Sequence, residues 1–175
     1  MEGVGAEDLW RAVNLVEPSL IRVEADEATY NIHIMIRYEV EKLLISGELE
    51  VDELPDMWDD MYEEYLGIRP KDSSSGVLQD IHWSMGAIGY FPTYTLGNLY
   101  SAQLLSAARE DLPEHDSQIR GGDFSPLLDW MRTKVHKRGS ILKPADLIKE
   151  ATGSPPSPEA FVDYLANKVR VLYSI

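Results

Sequence analysis

The chain contains no cysteine, which removes disulfides, thiolate metal ligands and a cysteine nucleophile from consideration. Positive charge is scarce: 16 Lys and Arg stand against 30 Asp and Glu, for a net charge of −14. Nucleic acid and anionic membrane are poor partners for such a chain, because phosphate binding needs clustered lysines and arginines. Nothing at the N-terminus has the basic-then-apolar pattern of an export signal, and with the missing cysteines this points to the cytoplasm. The signatures of self-contained catalysis are absent as well. No His-Glu-x-x-His occurs among His33, His82, His115 and His136, so no helix can place two imidazoles and a glutamate base around a metal ion. Ser73 to Ser75 lack a nucleophile elbow, and Gly121-Gly122 lacks the lysine of a phosphate loop.

What is present suits a folded, all-α chain. Of the 175 residues 44% are apolar and four are tryptophan, enough for one helical region over 1–175 with its own core. Helices are predicted over Ala6–Val16, Asp26–Ser46, Asp52–Leu66, Tyr94–Leu112, Ser125–Arg138, Lys143–Thr152 and from Ser157 to the C-terminus. Pro18, Gly47, Gly67, Pro113, Gly139 and Gly153 are their stops. Ser125 is expected as an N-cap before Pro126. No segment alternates strictly enough for a strand. Acidic residues fill Glu48 to Glu64 with no basic one among them, the pattern of a solvated face. His115 and His136 lie among charged residues and are expected at the surface.

The segment Ala28 to Ile45 is apolar almost all round, as in helices buried within large assemblies. Arg37, Glu39, Glu41 and Lys42 within it exclude a bilayer span. Three of its polar residues, His33, Arg37 and Glu41, repeat at i, i+4, i+8 and so share one stripe. Such a stripe is either a buried hydrogen-bond and ion-pair ladder or the border of a cavity.

Residues 76–98, GVLQDIHWSMGAIGYFPTYTLGN, gather Gln79, Asp80, His82, Trp83, Tyr90 and Tyr94 in a stretch broken by glycines and Pro92. It is a poor helix and a poor strand, and a plausible cavity lining. The segment closely resembles the Gln-Asp-x-His-Trp … Gly-Tyr-Phe-Pro-x-Tyr block of the carboxypeptidase Taq family of zinc metallocarboxypeptidases. Glu17 to Glu41 resembles that family's Ile-Arg-x-x-Ala-Asp-Glu … His-Ile segment, and Phe124 to Tyr173 resembles its C-terminal helices. The resemblance covers nearly the whole chain but only the C-terminal third of such an enzyme. The family's zinc histidines, catalytic glutamate and third zinc ligand lie upstream of the first helix. It therefore implies a chain without metal ligands or cofactor of its own, zinc belonging to the complete enzyme.

By the same resemblance, Arg22 is the candidate for the substrate's terminal carboxylate, which a guanidinium can grip bidentately. His82 and Tyr94, with Tyr90 as second choice, are the catalytic candidates as donors to a developing oxyanion. Gln79 and Asp80 are candidates for orienting His82. From the residues alone, Arg22 reads as an ion pair with Glu24 or Asp26, and His82 as a buried structural histidine. The expected partners are a peptide C-terminus in the complete enzyme and either the missing N-terminal part or a second copy. The competing expectation is a non-enzymatic association or regulatory module, with Glu48 to Glu64 as its contact face. Retention of Arg22, His82 and Tyr94 together favours the carboxypeptidase.

Overall fold

The computed structural model describes residues 3–175, and among these there is no strand, so the chain is all-α as expected. The helices are α1 (Ala6–Val13), α2 (Tyr30–Ser46), α3 (Leu54–Leu66), α4 (Pro92–Asp111), α5 (His115–Arg120), α6 (Ser125–Lys134), α7 (Pro144–Thr152) and α8 (Glu159–Tyr173). Gly47 closes α2 at φ 77°, a left-handed conformation that costs glycine little.

Several boundaries differ from the sequence expectation, each for a local reason. α1 ends at Val13 because Asn14 folds its amide back onto the Trp10 carbonyl, 2.7 Å away. α2 begins at Tyr30 because the Asp26 carboxylate accepts the Ala28 and Thr29 amides and the Thr29 hydroxyl, holding a turn instead. Ser125 is not an N-cap: it lies inside α6, and its amide donates to Asp123 Oδ1 at 3.0 Å. α6 stops at Lys134, and a 3-10 turn over His136–Arg138 leads to Gly139. The short helix α5 was not anticipated. It corrects the placement of His115, which is buried at the start of that helix, whereas His136 is exposed as expected.

The residues form two compact units, one reaching to Thr95 together with Val169–Ile175, the other Leu96–Lys168. In the first, α2 packs on α3 around Ile36, Val40, Leu49, Trp58, Tyr62 and Leu66. Trp58 and Tyr62, one helical turn apart on α3, stack with centroids 5.3 Å apart. Although α2 is apolar nearly all round, only part of it is covered. Ile34, Ile36 and Val40 are buried, while Met35, Tyr38 and Ile45 are exposed at helical spacing on another side. The Glu48–Glu64 carboxylates are largely exposed, which fits a solvated face.

In the second unit the Gln103 amide takes the place of an apolar contact. Its nitrogen donates to Thr152 Oγ1 and to the carbonyls of Ser154 and Pro155, and its oxygen accepts the Ser157 amide. It thereby fixes the turn between α7 and α8. Trp130 is buried, with its indole N–H on Asp111 Oδ2 at 2.8 Å.

The burial pattern of α2 yields a direct contrast. Ile36→Ala leaves a cavity in the core and should cost about 2–5 kcal/mol. Ile45→Ala, on the exposed side of the same helix, should stay within about 0.5 kcal/mol. Urea unfolding of both variants checks this, and equal losses would show that Ile45 is covered.

Candidate active-site half

The site is built where residues 76–91 are pinned against α2. Two contacts from α2 hold that segment, and both use the buried stripe seen in the sequence. His33, Arg37 and Glu41 are all buried, so the stripe is a ladder of hydrogen bonds and ion pairs. Near the C-terminal end of the ladder, the Glu41 carboxylate accepts the Trp83 indole N–H at 2.7 Å and the backbone amide of Gly89. Gly89 has φ 78°, so only a residue without Cβ offers its amide there without strain. One turn earlier, Arg37 reaches Asp80 Oδ2 through Nε at 2.6 Å and Gln79 Oε1 through Nη2 at 2.8 Å. At the start of the segment Gly76 packs closely on the preceding loop: a Cβ there would meet Pro70 and the Asp72 carbonyl at 3.2 Å.

Asp80 is shared. Its Oδ1 accepts Arg22 Nη2 at 2.6 Å and Nε at 3.1 Å, while Oδ2 accepts Arg37. Burial alone would push the Asp80 carboxyl up, but the hydrogen bonds and charges of Arg22 and Arg37 outweigh it and hold the carboxyl below the usual range. Arg22 is 6% exposed and Arg37 0%. Two buried guanidiniums thus have one carboxylate within hydrogen-bonding distance between them. Neither Glu24 nor Asp26 is the partner of Arg22; Asp26 is occupied by the turn before α2. Arg22 Nη1 donates to the Tyr30 phenol at 3.0 Å. Among the described residues this leaves one N–H on each terminal nitrogen of Arg22 without a protein acceptor.

His82 lies beside this cluster. Its Nε2 is 3.0 Å from the Tyr94 phenol oxygen, and its Nδ1 is buried without a hydrogen-bond partner, 3.7 Å from Asp80 Oδ1. The ring sits among Phe91, Tyr90 and Tyr94, with centroids 4.5, 5.7 and 5.8 Å away. The Arg22 guanidinium carbon is 5.1 Å from the centre of the Tyr94 ring. Arg22, His82 and Tyr94, far apart in sequence, therefore meet. Tyr90 is near in space, half exposed, and touches His82 through its ring alone. Gln79 is bound to the Arg22 amide, Arg37 and the carbonyls of Leu20, Ser75 and Gly76, and reaches His82 only through its neighbour Asp80.

Tyr62 was not singled out by sequence, yet it joins the ladder to the loop. Its phenol oxygen accepts Arg37 Nη1 at 3.1 Å and Gln79 Nε2 at 3.4 Å. With both of those groups donating, the phenol proton goes to His33 Nδ1 at 2.9 Å. His33 is then the Nε2–H tautomer, and that N–H is buried without an acceptor. Nothing in the spacing of an acidic helix signals such a role for one tyrosine.

A family model for carboxypeptidase Taq (M32) metallopeptidases matches residues 1–169. The chain belongs to that family. Among M32 relatives, the carboxypeptidase 1 of Bacillus subtilis (strain 168) is 48% identical over 170 residues, covering 97% of this chain and 34% of its own length. The thermostable carboxypeptidase 1 of Thermus thermophilus is 49% identical over 170 residues, with 97% and 33% covered. The crystal structure of the M32 carboxypeptidase from Deinococcus radiodurans R1 superposes with a TM-score of 0.95 at 41% identity, covering 99% of this chain and 35% of that one. The chain thus spans about a third of the length of the M32 relatives it matches, and that third is their C-terminal one. Among the described residues, no group of three or more His, Asp or Glu side chains is placed to hold a metal ion. The metal of an M32 metallopeptidase does not fit the residues present here.

The His33 environment makes stability depend on pH. Burial, then the charges of Arg37 and Arg22, push its pKa from 6.5 to about 4. The folded state binds the proton less tightly than the unfolded one. Stability from this group is therefore full above pH 6.5 and is lost as pH falls toward about 4, by roughly 3 kcal/mol at most. Urea unfolding across that window, beside carbon-detected titration of the His33 ring, checks this. A ring that charges near pH 6.5 would contradict it.

Proposed function

We propose that this chain supplies the substrate-carboxylate half of a zinc-dependent metallocarboxypeptidase site, one that releases single C-terminal residues from peptides. The observation that carries this reading is Arg22. It is buried, held by Asp80 and Tyr30, and keeps an unused N–H on each terminal nitrogen beside the His82–Tyr94 pair. Two guanidiniums sharing one carboxylate leave an excess positive charge in a site with little water, which a peptide's terminal carboxylate would neutralise. His82 and Tyr94 are then placed to donate to the carbonyl oxygen of the scissile bond as charge develops on it. Zinc, when bound in a complete site, would supply the activated water; its ligands and the glutamate base would come from a polypeptide equivalent to the remaining two thirds of the relatives. Without that polypeptide the chain is inactive, and its place of work is the cytoplasm.

The test is complementation. The chain alone should hold well under one zinc after dialysis and should not release amino acids from peptides. Mixed with a polypeptide comprising the rest of the Thermus relative, it should show carboxypeptidase activity that a chelator abolishes. In that mixture Arg22→Lys, which loses the fork but keeps the charge, should lower kcat/KM by about 10- to 100-fold. Zinc retained by the chain alone, or an unaffected Arg22→Lys, would falsify the assignment.

A second reading, association without catalysis, is favoured by one observation. Met35, Tyr38 and Ile45 of α2 are exposed, and Tyr38 and Ile45 line an open groove of about 590 Å3 with Ile88. Apolar surface of this kind marks interfaces, for a second copy or for the complementing polypeptide. Light scattering at micromolar concentration should show a dimer or larger species, and a clean monomer would remove the self-association.

A further inference from the structure

The unpartnered nitrogen of His82 faces the carboxylate oxygen that Arg22 holds most closely; Arg22 Nε also reaches Oδ2, at the longer distance of 3.4 Å. Nδ1 is buried and makes no hydrogen bond, although Asp80 Oδ1 stands 3.7 Å away. A buried polar nitrogen left in this way costs free energy that a small movement could recover. Closing the gap to about 2.8 Å, a normal hydrogen-bond length, needs a displacement of roughly 1 Å. Asp80 can make that movement without leaving its place. Oδ2 stays on Arg37 at 2.6 Å as the pivot, and only Oδ1 has to turn. What prevents it is Arg22, which draws Oδ1 through Nη2 at 2.6 Å and through Nε at 3.1 Å.

We propose that Asp80 is a positioning residue that couples carboxylate recognition to His82: when an external carboxylate binds the free N–H groups of Arg22, Oδ1 of Asp80 turns to accept a hydrogen bond from His82 Nδ1–H. This rests on the reading of Arg22 as the carboxylate site. The physical cause is competition. A second anion on the guanidinium weakens its pull on Asp80, and His82 Nδ1 stands 3.7 Å from Oδ1 without a hydrogen-bond partner. The consequence is a fixed ring. With Nδ1–H held by Asp80, the imidazole takes one orientation beside the Tyr94 phenol only after a peptide end is in place. An uncharged chain end leaves Asp80 on Arg22 and the imidazole without that anchor. No proton is exchanged with solvent in this step; hydrogen bonds are redistributed among Arg22, Asp80 and His82.

The experiment is a ligand titration of the intact wild-type chain, labelled with nitrogen-15 and followed by NMR through the Arg22 Nε–H and His82 ring signals. The probe is N-acetyl-L-phenylalanine, and its amide is the uncharged control. The carboxylate should shift the Arg22 Nε–H signal. With the same concentration dependence, a downfield His82 Nδ1–H proton protected from exchange should appear. The amide should produce neither. If Arg22 responds and His82 remains silent, the coupling is wrong and the carboxylate site stands. If Arg22 itself does not respond, the carboxylate-site reading fails and the coupling with it. If the amide acts like the acid, the signal reports general packing, and the coupling is likewise overturned. Because the wild-type chain is used, none of these outcomes depends on a variant that folds poorly.

Discussion

The Asp80 carboxylate is the point on which the first unit turns, because two buried guanidiniums depend on it. It joins Arg22, which precedes α2, to Arg37 within α2, and it does so from a loop about forty residues further on. Both guanidiniums are buried, and among the described residues neither has another carboxylate in hydrogen-bonding reach. Buried charges persist only when paired and further hydrogen-bonded, so Gln79, Tyr30 and Tyr62 gather around them as neutral partners. The aromatic surroundings of His82 follow from the same attachment. With Asp80 in place, the chain can turn through Trp83–Met85 and deliver Phe91 and Tyr94 to the imidazole.

Charge distribution divides the labour of the unit. The largely exposed Glu48–Glu64 face carries a dense run of carboxylates. The interior beside α2 buries Arg22 and Arg37 around Asp80, and one turn on it buries the Glu41 carboxylate against Trp83 and Gly89.

Legibility in the sequence followed the range of the interactions involved. α3 and α7 were readable because their proline starts and glycine stops act within a few residues. α1 and α2 were drawn too long because Asn14 and Asp26 use their side chains on nearby backbone, a competition that periodicity does not register. α5 escaped because six residues give no period to detect, and with it the burial of His115. In the site, the stripe His33–Arg37–Glu41 is legible as a stripe, with a buried ladder and a cavity border both open from spacing alone, and the family resemblance draws attention to Arg22, His82 and Tyr94. The partner of Arg22 could not be read. Glu24 and Asp26 were the near choices in sequence, whereas the actual one lies 58 residues away. Tyr62 was hidden for the same reason.

Those long separations have a consequence for the order in which the molecule forms. Arg22 closes on Asp80 across 58 residues, Arg37 across 43, and Glu41 on Gly89 across 48. Each closure costs chain entropy that the contact recovers only once α2 is already folded and packed on α3. The helices can therefore assemble while residues 76–91 are still loose. The Arg22–Asp80–Arg37 cluster depends on α2 and α3 being in place, and not the reverse.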